Sequence, residues 1–142
     1  MNLLEPGALR CVNTNDLPWR PSTFAAGVFV KDIAMTGGWE MQIVRFEPGA
    51  RFPVHTHELP EFVFILEGEL VQAGRRLGPG WASVTSAGTV DEDVHSETGC
   101  VFVLVDVHEC VEPPGSAVQR IAASHPLGVA LTAGVRRSTE IP

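Results

Sequence analysis

The chain contains no tyrosine and one lysine, Lys31, among its 142 residues. The first absence excludes a centre built on a cysteine–tyrosine crosslink. The second leaves nine arginines to carry the remaining positive charge against 17 acidic residues, for a net charge of -7. Nucleic-acid binding needs a basic footprint, so that class is excluded. The acidic excess says little about substrate. The three cysteines, Cys11, Cys100 and Cys110, are odd in number and show no paired spacing, which argues for thiols and against a disulfide framework. No apolar run is long enough to cross a bilayer. The start, Met1 to Gly7, lacks the basic flank and long apolar centre of a signal peptide, so a cytoplasmic location and no membrane partner are expected. Helical periodicity is scarce as well.

Short strands separated by turn signals are abundant instead. Gly27–Ile33, Trp39–Phe46, Arg51–His57, Glu61–Leu66, Glu69–Ala73, Trp81–Thr85 and Val101–His108 all read as β segments, and this regular succession suits an antiparallel sandwich or barrel. The organisation expected is an irregular N-terminal arm over 1–26, one β domain over 27–111 and a C-terminal extension over 112–142. In that extension Ser116 would cap a short helix through Ala123. No second domain, internal repeat or low-complexity tract is apparent. A hydrophobic fraction of 44% is ordinary for one domain with a sizeable core.

The most informative stretch runs from Gly49 to Gly68. His55 and His57 are one residue apart, and on an extended strand alternate side chains share a face, so both imidazoles can reach one ion. Glu61 follows the turn signal Glu58-Leu59-Pro60 and can add a carboxylate oxygen. Two nitrogens and one oxygen in a facial arrangement would leave positions for water, substrate or dioxygen. Pro48-Gly49 turns the chain into the histidine strand, and Glu67-Gly68-Glu69 turns it out of the next.

Written out, Gly49, five residues, His55, one residue, His57, three residues, Glu61, six residues, Gly68 is similar in every fixed position to the first motif of the cupin superfamily. That resemblance implies an all-β, antiparallel jelly-roll barrel with a metal inside one end. The second cupin motif is only partly matched. From Gly80, the usual proline position holds Ser86, and the usual histidine position holds Asp91. His95 lies four residues further on, a span of about 13 Å along a strand, so His95 and Asp91 cannot share one coordination position unless the backbone bulges. Asp91 has the position and His95 the imidazole chemistry, and the two acidic neighbours of His95 favour a nearby cation. The fourth ligand is expected to be His95, with Asp91 as the alternative and water as a third. The run through Gly99-Cys100 into a valine-rich strand resembles the cupin domains of zinc-binding anti-sigma factors and of relatives that cleave ketones or diketones with dioxygen. Cupins that oxidise thiols resemble three-histidine sites, which Glu61 argues against.

The expected cofactor is one divalent transition metal, Fe, Zn, Ni or Mn, since nitrogen and oxygen donors do not choose among them. Two functions stay open: a dioxygenase acting on a small ketone or aromatic substrate, and a non-enzymatic small-molecule or metal sensor. Among the other residues of note, His108 and His125 fall in no motif and read as structural. Trp39 and Trp81 read as core, and Arg45 and Arg51 as surface ion pairs beside the site. Cys100 and Cys110 read as core or edge residues. Phe62, Phe64 and Leu66 make the outward face of the Glu61 strand apolar, which predicts cover from a second subunit or the chain's own tail, and hence a homodimer.

Overall fold

In the computed structural model the described residues are 3–107, together with the backbone of strand residues 124–125 and 129–130. The chain is almost entirely β. A 3-10 turn, Thr14–Asp16, is followed by β1 (Arg20–Pro21), β2 (Val28–Thr36), β3 (Trp39–Phe46), β4 (Arg51–Phe52), β5 (His55–Thr56), β6 (Glu61–Gly68) and β7 (Leu70–Gln72). Then come β8 (Arg75–Leu77), β9 (Ala82–Thr85), β10 (Val90–Asp91), β11 (Val94–His95) and β12 (Cys100–Val107), with the hairpin β13 (Ser124–His125) and β14 (Val129–Ala130) beyond. A six-stranded sheet has the order β1-β2-β3-β12-β6-β9, and a four-stranded sheet has the order β4-β11-β7-β8. β5 and β10 form a separate two-stranded pair. All these pairings are antiparallel.

The core lies between the two larger sheets. Val44, Phe46, Ile65, Phe102 and Leu104 contribute from one, and Phe52, Leu70 and Leu77 from the other. Ile65, Leu70 and Leu104 are essentially inaccessible, and full burial of such a side chain stabilises by about 1.5–3 kcal/mol. This is the jelly-roll architecture that the first motif implies. Period-two alternation explains the faces. On β6, Glu61, Val63 and Ile65 point inward, while Phe62, Phe64 and Leu66 point outward at 41%, 47% and 42% exposure. Trp39 and Met41 extend that apolar outer face, with the Trp39 ring 6.1 Å from that of Phe62. Trp39 and Trp81, expected in the core, are both exposed.

One predicted strand is interrupted, and a stretch with no strand predicted holds two short ones; both breaks shape the site. Arg51–His57 does not run as one strand. Pro53 has no N–H to give a ladder, and the chain changes partners there: β4 pairs with β11 and β5 with β10. The stretch 90–95 divides in the same way, β10 joining the histidine strand and β11 joining β4 and β7.

Gly68 shows why the motif ends on glycine. Its φ is +71°, and a Cβ there would stand 2.0 Å from the Gly99 carbonyl oxygen. A side chain is excluded both by conformation and by contact with backbone.

The N-terminal arm is tied along β2. Leu4 N–H donates to the Met35 carbonyl at 2.8 Å, and Lys31 Nζ donates to the Thr14 carbonyl at 2.8 Å. The helix expected from Ser116 and the residues His108 and Cys110 lie outside the described residues, as does the side chain of His125. Cys100 is buried in the core cluster and Cys11 is exposed.

Candidate metal centre

Pairing of β5 with β10 sets Asp91 directly opposite His55. Just past β5, His57 stays paired through its backbone: its N–H donates to the Thr89 carbonyl at 2.8 Å, and its carbonyl accepts from Gly88 N–H at 2.6 Å. The imidazoles of His55 and His57 therefore meet, their ring centroids 4.5 Å apart at 68°. Asp91 Oδ2 lies 2.7 Å from His57 Nε2 and 3.7 Å from His55 Nε2. One ligand atom from each of His55, His57 and Asp91 falls within 4.8 Å of the others, which makes this a group able to hold a metal ion.

Each ring has a defined role. His55 Nδ1 is 2.9 Å from the Pro53 carbonyl. A carbonyl only accepts, so Nδ1 carries the proton and Nε2 presents its lone pair to the site. Burial holds the His55 pKa below the usual histidine value and keeps the ring neutral, which is the form a metal requires. His57 is inaccessible to solvent. Burial works against its charge, but the hydrogen bond it donates to Asp91 and the negative fields of Glu61 and Asp91 outweigh it, and its pKa is raised. Asp91 is lowered: burial pushes its carboxyl up, and hydrogen bonds from His57 and Gln72 overcome that push.

Glu61 approaches the opposite edge of His57, its Oε2 3.7 Å from Nδ1. It shares an apolar-walled cavity of about 30 Å³ with His55 and Asp91, beneath Phe52, Val94 and Leu104. That volume accommodates one or two water-sized groups. His95 is placed elsewhere. On β11 it sits opposite Arg51 and Val71, and its Nδ1 is 2.9 Å from Asp93 Oδ1, an exposed carboxylate that Arg51 also binds at 2.9 Å. Only two residues, Glu92 and Asp93, separate β10 from β11, but the two strands belong to different ladders.

The donor chemistry suits an ion of the divalent transition series. Adjacent ligands around an ion with bonds of about 2.1 Å stand about 3 Å apart, and the 2.7 and 3.7 Å separations from Asp91 Oδ2 to the two imidazoles bracket that spacing. Arg51 forms the surface ion pair expected of it. Arg45 forms none among the described residues: its guanidinium stacks over Trp19 at 4.5 Å and Phe29 at 4.8 Å.

Gln72 is a site residue that the sequence motifs do not mark. Its Nε2 donates to Asp91 Oδ2 at 3.0 Å, and its Oε1 accepts from Ser83 Oγ at 2.8 Å. The available signal was a polar residue two positions after the inward-facing Leu70, hence on the same face.

Comparison with known proteins agrees with this architecture. Residues 8–108 match the family described as the ChrR cupin-like domain. No curated protein matches the sequence. Among solved structures, a protein of Methylibium petroleiphilum PM1 provisionally assigned as an acetylacetone dioxygenase superposes with a TM-score of 0.67 at 18% identity, covering 82% of this chain and 90% of that one. An acetylacetone dioxygenase from Acinetobacter johnsonii gives a TM-score of 0.62 at 14% identity, covering 80% and 83%. The anti-sigma protein ChrR of Rhodobacter sphaeroides, solved in complex with SigE, gives 0.57 at 19% identity, covering 66% and 50%. At these identities the likeness establishes the fold alone. Among the described residues no helix is long and apolar enough to cross a membrane.

Proposed function

This chain belongs to the ChrR cupin-like domain family, and from that premise we propose a metal-dependent cupin that acts as a dioxygenase on a small ketone or aromatic substrate. The observation that carries the reading is the convergence of two imidazoles and the Asp91 carboxylate, with His55 and Asp91 lining an apolar cavity. His55 is the neutral nitrogen donor whose tautomer Pro53 fixes. His57 is the second nitrogen donor and Asp91 an oxygen donor held in aim by Gln72. Glu61 lines the same cavity from the opposite edge of His57, 3.7 Å from Nδ1 and outside that group of three. A transition metal bound there would supply a Lewis acid able to bring an oxygen-bearing substrate and dioxygen together. The chain's own contribution is orientation and dryness: Phe52, Val94 and Leu104 exclude water from the space in front of the donors.

A sensor without catalysis is the second reading. The observation favouring it is the small interior, about 30 Å³, well below the roughly 300 Å³ at which small-molecule pockets begin. Oxygen uptake by metal-loaded protein against a panel of β-diketones and hydroxyketones separates the two. Uptake that depends on both metal and substrate is expected, and its absence across the panel with full metal occupancy would favour the sensor. We also propose a homodimer formed through the apolar outer face of β3, β12 and β6, because Phe62, Phe64, Leu66, Trp39 and Met41 are exposed there among the described residues.

A further inference from the structure

A second, larger space adjoins the metal centre. The six-stranded sheet ends at β9 and the four-stranded sheet at β8, and between these two open edges lies a cleft of about 320 Å³. Gln72 and Asp91 line both this cleft and the interior cavity, so they form the partition between them. Its outer walls carry Trp81, 55% exposed, and Arg75, whose guanidinium forms no ion pair among the described residues. Ser83 and Thr89 add hydroxyls. A flat indole beside an uncommitted guanidinium, in a space of small-molecule size, selects for a planar frame bearing a delocalised negative charge.

We propose that this cleft is the ligand-binding site serving the metal centre, that it takes a small planar organic anion such as an aryl carboxylate, and that Gln72 is the positioning residue separating bound ligand from the ion. The inference rests on the metal-site reading for its purpose but not for the cleft itself. The ligand's oxyanion pairs with Arg75 and its ring lies against Trp81. Rotation of the Gln72 side chain away from Asp91 and Ser83 would join the cleft to the cavity, which resolves the mismatch between a 30 Å³ interior and an organic substrate. The chain's net charge of -7 opposes anion capture at long range, so binding depends on Arg75 and weakens with salt.

The test uses benzoate as the probe, with benzamide as its neutral counterpart, titrated by calorimetry into metal-free and Mn(II)-loaded protein. Benzoate is expected to bind both forms, and at least tenfold more tightly than benzamide. Arg75→Ala should weaken it at least tenfold and Arg75→Lys by no more than about threefold, with Mn(II) content unchanged in both. In the loaded protein Mn(II) should enhance relaxation of the benzoate ring protons, and more strongly in Gln72→Ala. Undetectable benzoate binding at millimolar concentration, equal binding in Arg75→Ala, or no relaxation enhancement in protein that retains Mn(II) would overturn the proposal. Benzoate binding in a protein that cannot hold Mn(II) would instead sink the metal assignment while leaving the cleft intact.

Discussion

Asp106 offers a pH-dependent perturbation whose sign follows from the fold. It lies on the inward face of β12 at 2% exposure, opposite Glu40 on β3 and Glu61 on β6. Burial, then the negative fields of Glu61 and Glu40, push its carboxyl up to about 8. In the unfolded chain an aspartate titrates near pH 4. Between roughly pH 4 and 8 the folded state therefore holds a proton that the unfolded state lacks, and stability falls as pH rises, by about 1.4 kcal/mol per unit for this group. Above the folded value the loss is complete. Glu40, pushed up to about 7 chiefly by burial and then by Asp32, adds a slope of the same sign. His57, with its raised value, also loses stability as pH rises through it, whereas His55, Asp32 and Asp91, with lowered values, contribute the opposite slope. The wild-type curve is a sum of these, so the informative quantity is the difference from Asp106→Asn, which keeps the shape of the neutral acid and cannot ionise. Urea unfolding of metal-free protein at pH 5, 6 and 7, followed by tryptophan fluorescence, should show the variant gaining on the wild type by about 3 kcal/mol across that range. Its m-value should be unchanged. Parallel stability curves for the two proteins would show that Asp106 holds no such proton in the folded state.

Gly68→Ala should destabilise by roughly 3 kcal/mol or more, because the added Cβ meets the Gly99 carbonyl and the backbone is left-handed there; a thermal midpoint within a degree of wild type would contradict that. Light scattering should show a dimer at micromolar concentration. Phe64→Lys, at the exposed centre of the β6 outer face, should give a monomer of unchanged metal content, and a wild-type monomer would remove the dimer proposal.

Much of the architecture was legible because it is local. Alternation on Glu61–Leu66 assigns inward and outward faces correctly, since a strand's faces depend only on parity. The spacing of His55 and His57 brings their rings together because the break at Pro53 precedes both, and the backbone bonds of His57 with Thr89 and Gly88 continue the β5–β10 pairing to the second histidine. What the sequence hides is partner choice. Asp91 and His95 are separated by three residues, and only the pairing of β10 with β5 and of β11 with β4 and β7 decides which side chain faces the imidazoles. Arg45 illustrates the same limit: its partners, Trp19 and Phe29, come from the arm and from β2. The cleft likewise exists only because β8 and β9 end different sheets. Trp81 looks like core by size, yet its position at that edge leaves it exposed.

In the proposed centre His55, His57 and Asp91, with Glu61 beside them, hold one transition metal per chain. The most direct measurement is metal affinity, by competitive titration with a chelator, in wild type, Asp91→Ala, His95→Ala and the double variant of His55→Ala with His57→Ala. An empty site is expected in the double variant, a loss of about 100-fold or more in Asp91→Ala, and a change within about threefold in His95→Ala. Full metal occupancy in the double variant, or a large loss in His95→Ala with Asp91→Ala unaffected, would contradict the proposed centre.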